Sequence, residues 1–564
     1  MTNRFFLRAP PFPRYRPRVP AIVPPLYPPD VAVLDPLARQ HAADLRAALV
    51  AGQVGGSFWA PPLAARATGH WLMRPASVQA AQAMLAQAGN RAASKGFALV
   101  GPGTPRAVLR WLQRRGIAVL AGEVDPWSAV HGCEAIFASP GDDLAIAGQL
   151  AGVPVSLCDA LTGEPGPSAG DDIDALIHQL LIHGVDYRDW FTGSPSTALA
   201  AVEQLTAWRV MIDQNRSVAA LAGIAGWKRR EIHSFLWADR RRPLTNARTP
   251  GAAIAACVGV GGALAVWPSR VPATLFGAAA ANGVPVCQIE DGFIRSVGLG
   301  SGLHPPQSIV VDPLGIYYDP TRPSALENIL QTATFSPGLL ARAEALIASI
   351  VAGGISKYAA GPVAPLALPA GRRLVLVTGQ VEDDRSVMLG GGGVTGNLDL
   401  LRSARAAEPD AYLIFKPHPD VEAGHRAGAV DEQAALQFVD VIVRNVSIAS
   451  LLDVVDEVHV WTSLAGFEAL MRHRAVTVHG QPFYAGWGLT RDLAPPISRR
   501  TRKVTLAELV AATLILYPRY LDPITKLPCS PELLISRMAA PGAKRMTMLT
   551  SLRLLQGRIN RWMR

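Results

Sequence analysis

Between about residues 40 and 185, short apolar runs alternate with helix-like stretches. The runs are Ala98–Gly101, Ile117–Leu120, Ala135–Ala138 and Val153–Leu157. Runs this short read as buried strands, so the region predicts β-α-β units on a parallel sheet. Residues 196–237 read as helical and carry Trp208, Trp227 and Trp237. The alternation resumes over 252–355, with strands expected near Leu264–Trp267, Val286–Glu290 and Ile309–Val311. Gly361–Gly371 is rich in proline and glycine and reads as a linker. A third α/β stretch follows, with strands expected near Leu374–Thr378, Ala411–Phe415, Glu457–Trp461 and Ala475–Val478. Ala252–Val266 is apolar but short and rich in glycine, which fits a buried helix or strand better than a membrane span.

An internal repeat runs through this pattern. The stretch from Val124 to Ala138, ending in Gly152-Val-Pro-Val-Ser, parallels Val446 to Val460, ending in Arg474-Ala-Val-Thr-Val. Tyr187-Arg-Asp-Trp-Phe-Thr-Gly-Ser-Pro-Ser likewise parallels Tyr520-Leu-Asp-Pro-Ile-Thr-Lys-Leu-Pro-Cys-Ser. The first copy lacks the second's chemistry: Pro140-Gly141 stands about where Thr462-Ser463 stands, and there is no Pro-His-Pro. It reads as a half-module that has lost its site, or as a chance likeness between two Rossmann-like halves.

Composition narrows the class. Hydrophobic residues make up 49% and charged residues 17% of the 564, enough for large buried cores. The net charge of +10 fits attraction to an anionic partner and equally fits a coding bias toward arginine. No basic array interleaved with aromatics is present, so nucleic acid is not an expected partner. The five cysteines form no CxxC pair, which points to reduced thiols in a cytosolic protein. The N-terminal residues lack the apolar core of a signal peptide.

The densest chemistry lies in Gln288-Ile-Glu-Asp-Gly-Phe-Ile-Arg-Ser-Val-Gly-Leu-Gly-Ser301. A strand ending in two carboxylates at a glycine turn is how open α/β sheets present catalytic groups, since ligands bind beyond the carboxyl ends of the strands. Asp291 reads either as a catalytic carboxylate, suited to a nucleophile's role, or as a structural turn residue, with Arg295 as its counter-charge. Glu290 falls on the other face of the strand, as a second catalytic acid or an ion-pair partner. His304, just beyond the loop, is an acceptor or phosphate contact or a plain loop residue. Asp312 and Asp319 read mainly as structural.

Four further strings follow strands. Gly379-Gln380 opens a glycine-flanked loop suited to phosphate, and the acids at 382–384 are not expected to hold a metal. Lys416-Pro-His-Pro-Asp420 fixes His418 between prolines beside a lysine, suited to a donor phosphate or an acid role, or else a packed loop histidine. Thr462 and Ser463 stand where a helix begins, as N-caps, phosphate ligands or both, with Glu468 a turn further on for ribose hydroxyls. Tyr484 and Trp487, in Gln481-Pro-Phe-Tyr-Ala-Gly-Trp-Gly-Leu489, offer faces for a sugar or base, or line a domain interface.

These five motifs, in this order, resemble bacterial capsule polysaccharide synthesis proteins of the β-Kdo transferase type. The resemblance covers roughly residues 205–540, and 100–205 weakly. It implies an α/β fold of GT-B type: two Rossmann-like domains facing a cleft, here preceded by a degenerate Rossmann-like half-module. The expected divisions are a Pro/Arg-rich extended segment at 1–35, the half-module at 36–205, an acceptor and nucleophile domain at 206–365, a CMP-sugar domain at 366–540 and a basic tail at 541–564. The resemblance further implies a nucleophilic carboxylate at Asp291, with Gly379, Gln380, Lys416, His418, Thr462, Ser463 and Glu468 holding CMP-Kdo and no resident cofactor. Its implied acceptor is a Kdo-bearing, phosphatidylglycerol-type lipid. Well-known family members carry two complete modules, whereas only one is intact here, so polymerisation of two linkage types by this chain alone is not expected. In the tail, Leu552, Leu555, Ile559 and Trp562 share a face that Arg553, Arg558, Arg561 and Arg564 mostly avoid. That pattern fits a helix on anionic lipid, a disordered tail or a partner-binding helix. The resulting expectation is a cytoplasmic protein, peripheral at the inner membrane, working beside other capsule synthesis and export proteins.

Overall fold

The computed structural model describes residues 5–14, 34–63, 69–91, 95–166, 172–239, 243–294, 305–355, 368–424, 426–444 and 446–539. Two compact units divide the chain, one of residues 1–217 with 236–243 and one of 218–235 with 244–564. The division expected at 205/206 falls inside the helix Ala198–Arg216, which lies whole in the first unit. Residues 361–367 of the expected linker and the basic tail lie outside the described residues.

The first unit holds one parallel sheet of five strands: β1 (His70–Met73), β2 (Gly96–Val100), β3 (Ala118–Ala121), β4 (Cys133–Ala138) and β5 (Val155–Leu157). Their order is β3-β2-β1-β4-β5. Four match the apolar runs of the sequence. The central β1 escapes that reading because His-Trp-Leu-Met runs at once into Arg74-Pro75. Trp71, Met73 and Phe137 pack with Met84 and Leu112 of the flanking helices. The N-terminal segment is anchored where it is described. Phe12 lies against Trp208 and Trp237, with ring centroids 5.2 and 4.7 Å apart, and Arg8 pairs with Asp143 at 2.6 Å.

The second unit contains two sheets. β6 (Val218–Ala222), β7 (Thr245–Asn246), β8 (Ala263–Val266) and β9 (Val286–Asp291) run parallel, and β10 (Ser308–Asp312) turns back antiparallel to β9. Residues 218–222 are thus a strand, not the expected helix. Their Val-Ala-Ala-Leu-Ala run favours a helix by propensity, but pairing with β8 in the sheet overrides it. The second sheet, all parallel, comprises β11 (Leu374–Thr378), β12 (Tyr412–Lys416), β13 (Val441–Ile442), β14 (Glu457–Val460), β15 (Ala475–Val478) and β16 (Arg491–Asp492). Its order is β13-β12-β11-β14-β15-β16. The chain then returns through β17 (Pro518–Leu521) and β18 (Pro528–Cys529) to extend the earlier sheet as β18-β17-β10-β9-β8-β6-β7. One continuous core joins elements of both sheets, with the Phe293 ring 4.8 Å from Phe483 and 4.7 Å from Tyr317. Asp312 is buried as a structural group: it accepts from the backbone of Leu314, Gly315 and Ala325 and from the Tyr517 hydroxyl.

The internal repeat is visible in the structure. The all-parallel sheets of the two units share their strand order through the fifth strand. After each sheet a helix tightens into a π turn, His178–Ile182 in one case and Ala511–Leu516 in the other. Tyr187 then donates its hydroxyl to the Leu181 carbonyl at 2.6 Å, and Tyr520 to Leu514 at 2.7 Å. Each tyrosine opens a tight hairpin in which an aspartate accepts two backbone N–H groups and a threonine hydroxyl: Asp189 with Thr192, and Asp522 with Thr525. The turn closes at positive φ on Gly193 (75°) or Lys526 (62°). A third copy, which the sequence reading passes over, stands at Asp159, Thr162 and Gly163 (76°).

Candidate active site

β9 carries Glu290 and Asp291 to its carboxyl end, where β10 pairs with both residues. Gly292 makes the turn close: a Cβ there would collide with Ser308, whose hydroxyl donates to the Ile294 carbonyl. Asp291 Oδ1 accepts from Lys228 Nζ at 2.9 Å. Lys228 is 7% exposed and sits on the short turn Gly226–Lys228 after β6. Its ammonium lies 3.6 Å from the Trp267 ring centroid and 5.1 Å from that of Trp227. The cation is therefore held between a carboxylate and indole faces, which favours the charged pair. Glu290 Oε1 accepts the Asp291 backbone N–H at 3.0 Å, tying the two acids together. Arg295, the expected counter-charge, lies outside the described residues, as does His304. Lys228 is the counter-charge within them. Sequence reading misses it because the pair spans 63 positions and Trp-Lys-Arg-Arg reads as a helical surface.

The other expected groups gather at the carboxyl edge of the all-parallel sheet β11–β16. Its order reverses beside β11, the crevice where such sheets bind nucleotides. Gly379, after β11, donates its N–H to the Lys416 carbonyl at 2.9 Å. A Cβ on it would meet the Phe415 ring at 3.1 Å and Pro417 Cα at 3.2 Å, so glycine permits this closeness. Gln380 bridges the crevice: its Nε2 donates to Thr462 Oγ1 at 3.0 Å, and its Oε1 accepts the Thr462 N–H at 2.6 Å. Asn397 holds the Gln380 backbone from both sides at 2.8 Å. Ser463 Oγ caps the helix Leu464–Met471. His418 Nδ1 accepts from the Asp420 N–H at 3.2 Å and caps the short helix Pro419–Glu422. Lys416, at the end of β12, is 8% exposed. Burial pulls its ammonium below the usual lysine range, with Glu422 acting in the opposite direction. Among the described residues its ammonium makes no ion pair or hydrogen bond. The carboxylate and nucleotide-type halves converge on Tyr317 and Tyr318, which lie within electrostatic reach of Glu290 and of Asp384.

Two expected contacts, at Tyr484 and Trp487, are corrected by packing. Tyr484 and Trp487 are both 0% exposed. The Tyr484 hydroxyl donates to the Ser463 carbonyl, and Trp487 Nε1 donates to Phe483 at 2.9 Å. They form core and present no face to a sugar. Glu468 is 5% exposed and lines a small apolar cavity with Phe293, Ile294, Phe467 and Met471. Glu408, Glu457 and His459 bring ligand atoms together as a metal site would, but Arg373 pairs with Glu457 and Arg491 pairs with Glu408 at 2.8 Å. That cluster is an ionic network.

A family model described as capsule polysaccharide biosynthesis protein matches residues 262–342 and 336–520, a range holding every candidate from Glu290 to Trp487. The lipopolysaccharide-processing protein LpsZ of Rhizobium meliloti is 36% identical over 378 residues, covering 66% of this chain and 80% of LpsZ. The chain belongs to the capsule polysaccharide biosynthesis protein family. Another member of similar sequence, the capsule polysaccharide modification protein LipA of Neisseria meningitidis serogroup A, is 47% identical over 242 residues. That match covers 43% of this capsule-family chain and 34% of LipA, so the chain spans about a third of that relative's length. Among solved structures, the Thermosulfurimonas dismutans KpsC β-Kdo 2,4 transferase is similar at 33% identity and a TM-score of 0.50, covering 57% of this chain and 98% of that one. The capsule-family chain has an α/β fold of GT-B type. Among its described residues no helix is long and apolar enough to cross a membrane.

Proposed function

We propose that this chain is a retaining glycosyltransferase that adds β-linked Kdo from CMP-Kdo to a Kdo-bearing, (lyso)phosphatidylglycerol-type acceptor in capsule polysaccharide biosynthesis. It would act in the cytoplasm at the inner-membrane surface, beside other capsule synthesis and export proteins. The observation that carries the reading is the 33% identity to the KpsC β-Kdo 2,4 transferase over 98% of that chain. The placement of Asp291 and Lys416 at two strand ends of one unit supports it.

The sheet holding β9 would serve the nucleophile and acceptor, and the sheet β11–β16 the donor. In the first step the Asp291 carboxylate attacks the anomeric carbon of Kdo, and the bond to the CMP phosphate oxygen breaks. Lys416 meets the charge on that phosphate, and the Ser463 hydroxyl at the helix start donates to its oxygens, with Thr462 held in place beside it by Gln380. His418, fixed by its prolines, orients the leaving group. In the second step an acceptor hydroxyl attacks the glycosyl-aspartate, loses its proton to Glu290 or solvent, and releases Asp291. Two inversions give net retention. Lys228 holds Asp291 as the anion that attacks.

The test is incubation with CMP-Kdo and a short Kdo-lipid acceptor, wild type beside Asp291→Ala, read by mass spectrometry. Addition of one or more Kdo units by wild type alone is the expected result. Product from both proteins removes Asp291 from the mechanism. Product from neither, with both folded, removes CMP-Kdo transfer to that acceptor.

A further inference from the structure

A pocket of about 440 Å³ opens at the carboxyl ends of β6, β7 and β8, in the sheet that carries Asp291. Gly223 and Ile224 after β6, Arg248 and Thr249 after β7, and Arg270 and Val271 after β8 line it, joined by Arg229. No acidic side chain lines it, while three arginines do. All three are exposed, and among the described residues none of their guanidinium groups makes an ion pair or hydrogen bond. Elsewhere in the same unit arginines are engaged: Arg499 and Arg500 clasp Glu327, Arg405 holds Asp440, and Arg342 pairs with Glu532. Three uncommitted guanidinium groups around one concavity are a receptor for an anion.

The pocket is joined to Asp291 through its own walls. The loop after β6 supplies Arg229 to the pocket and, one residue earlier, Lys228 to Asp291. The loop after β8 supplies Arg270 to the pocket and, three residues earlier, the Trp267 ring beneath Lys228. A ligand seated here lies on the carboxyl edge of the sheet whose strand β9 ends in Asp291, not on the sheet with the nucleotide-type crevice.

We propose that this three-arginine pocket is the acceptor subsite, and that it recognises the acceptor by its negative charge. The inference rests on the transferase reading above and adds what that reading leaves open, namely the part of the acceptor the protein grips. Two anionic groups share the required chemistry: the carboxylate of an acidic sugar and the phosphodiester of a lipid headgroup. Arg248 and Arg270 bracket the opening from different strands. Val271, Leu275 and Ile224 supply apolar wall for the body of the ligand.

The test uses the full chain and the variant R248A/R270A. Acceptor and donor KM are measured with three acceptors: a Kdo-phospholipid, the same compound with its sugar carboxylate methyl-esterified, and a Kdo glycoside lacking phosphate. The double variant is expected to raise the acceptor KM about tenfold to a hundredfold, the worth of one or two charge-assisted hydrogen bonds. Donor KM is expected to move less than about threefold by the same scale. The acceptor whose loss of charge abolishes the difference between wild type and variant identifies the group bound. An unchanged acceptor KM, or an equal rise in donor KM, overturns the proposal. Calorimetric titration with methyl Kdo glycoside and with glycerol phosphate reads the pocket without turnover. Binding by wild type that the double variant loses upholds the pocket even if CMP-Kdo is never turned over, and no binding of either ligand by wild type overturns it.

Discussion

The two all-parallel sheets, β1–β5 and β11–β15, share a strand order and differ at their carboxyl edges. After β12 comes Lys416-Pro-His418-Pro; at the same place after β2 comes Gly101-Pro-Gly-Thr-Pro105. The helix after β14 is capped by a neutral hydroxyl, Ser463, with Thr462 before it. The helix after β4 is capped by Asp142, followed by Asp143. Across the first crevice Asp142 pairs with Arg74 at 3.0 Å, in the position of the neutral Gln380–Thr462 pair. Both carboxylates at this helix start are held by arginines, Asp142 by Arg74 and Asp143 by Arg8, so ion pairs fill the place that a phosphate would take. Yet the π turn, the tyrosine hydrogen bond and the aspartate hairpin persist after both sheets. The scaffold needs only apolar strands and satisfied turns, while the site needs particular charges at three strand ends, so one survives without the other.

The sharpest way to break this contrast is to remove a carboxylate from each edge. Asp291→Asn should cut transfer at least about a thousandfold, the usual scale for losing a nucleophile. Asp142→Asn, in the first unit, should leave transfer within about twofold, because asparagine caps a helix about as well as aspartate and the proposed chemistry lies in the other unit. A large loss from Asp142→Asn would mean that the first edge takes part in chemistry. Next in size is Lys416→Met. Donor KM should rise about tenfold or more as a charge-assisted contact is lost. The melting temperature of the ligand-free protein should rise as well, because a buried ammonium without an ion pair favours the unfolded state. Loss of stability instead would show that Lys416 supports the fold. Lys228→Met should lower kcat about tenfold or more with little change in donor KM, and Lys228→Arg should recover part of it. An equal rise in KM would place Lys228 in binding.

The smallest effect concerns pH. Burial, the neighbouring His459 and Arg491 hold the His479 imidazole down to about 4, below the ordinary 6.5. The unfolded chain binds that proton at higher pH than the folded chain does, so protons favour unfolding between the two values. Stability should be full above about 6.5 and decline as pH falls toward about 4. Thermal melts of wild type and His479→Gln across that window should converge at the acid end. Parallel curves would remove His479 as the cause.

The main strands and the strand-end motifs were legible because apolar runs ending in glycine or charge leave a local trace. Elements whose identity depends on distant partners left none. β6 is alanine-rich and becomes a strand only beside β8; β17 finds its partner in β10, some two hundred residues earlier in the chain. Lys228 needed the fold to reach Asp291. Tyr484 and Trp487 misled because glycines at 486 and 488 suggested access, whereas those glycines let the backbone pack against Arg500 and Lys503.

The late return of β17 also bears on how the protein is made. β10 pairs with β17 at Ser308–Tyr520, Ile309–Arg519 and Val310–Pro518. During synthesis the strand next to the Asp291 strand therefore waits with one side unpaired until the ribosome has passed the whole β11–β16 sheet. A nascent edge of Ser-Ile-Val-Val is the kind that pairs with neighbouring chains. A chain cut between residues 313 and 517 keeps Asp291 and loses the strand that covers this edge, so such fragments should aggregate where the full chain does not.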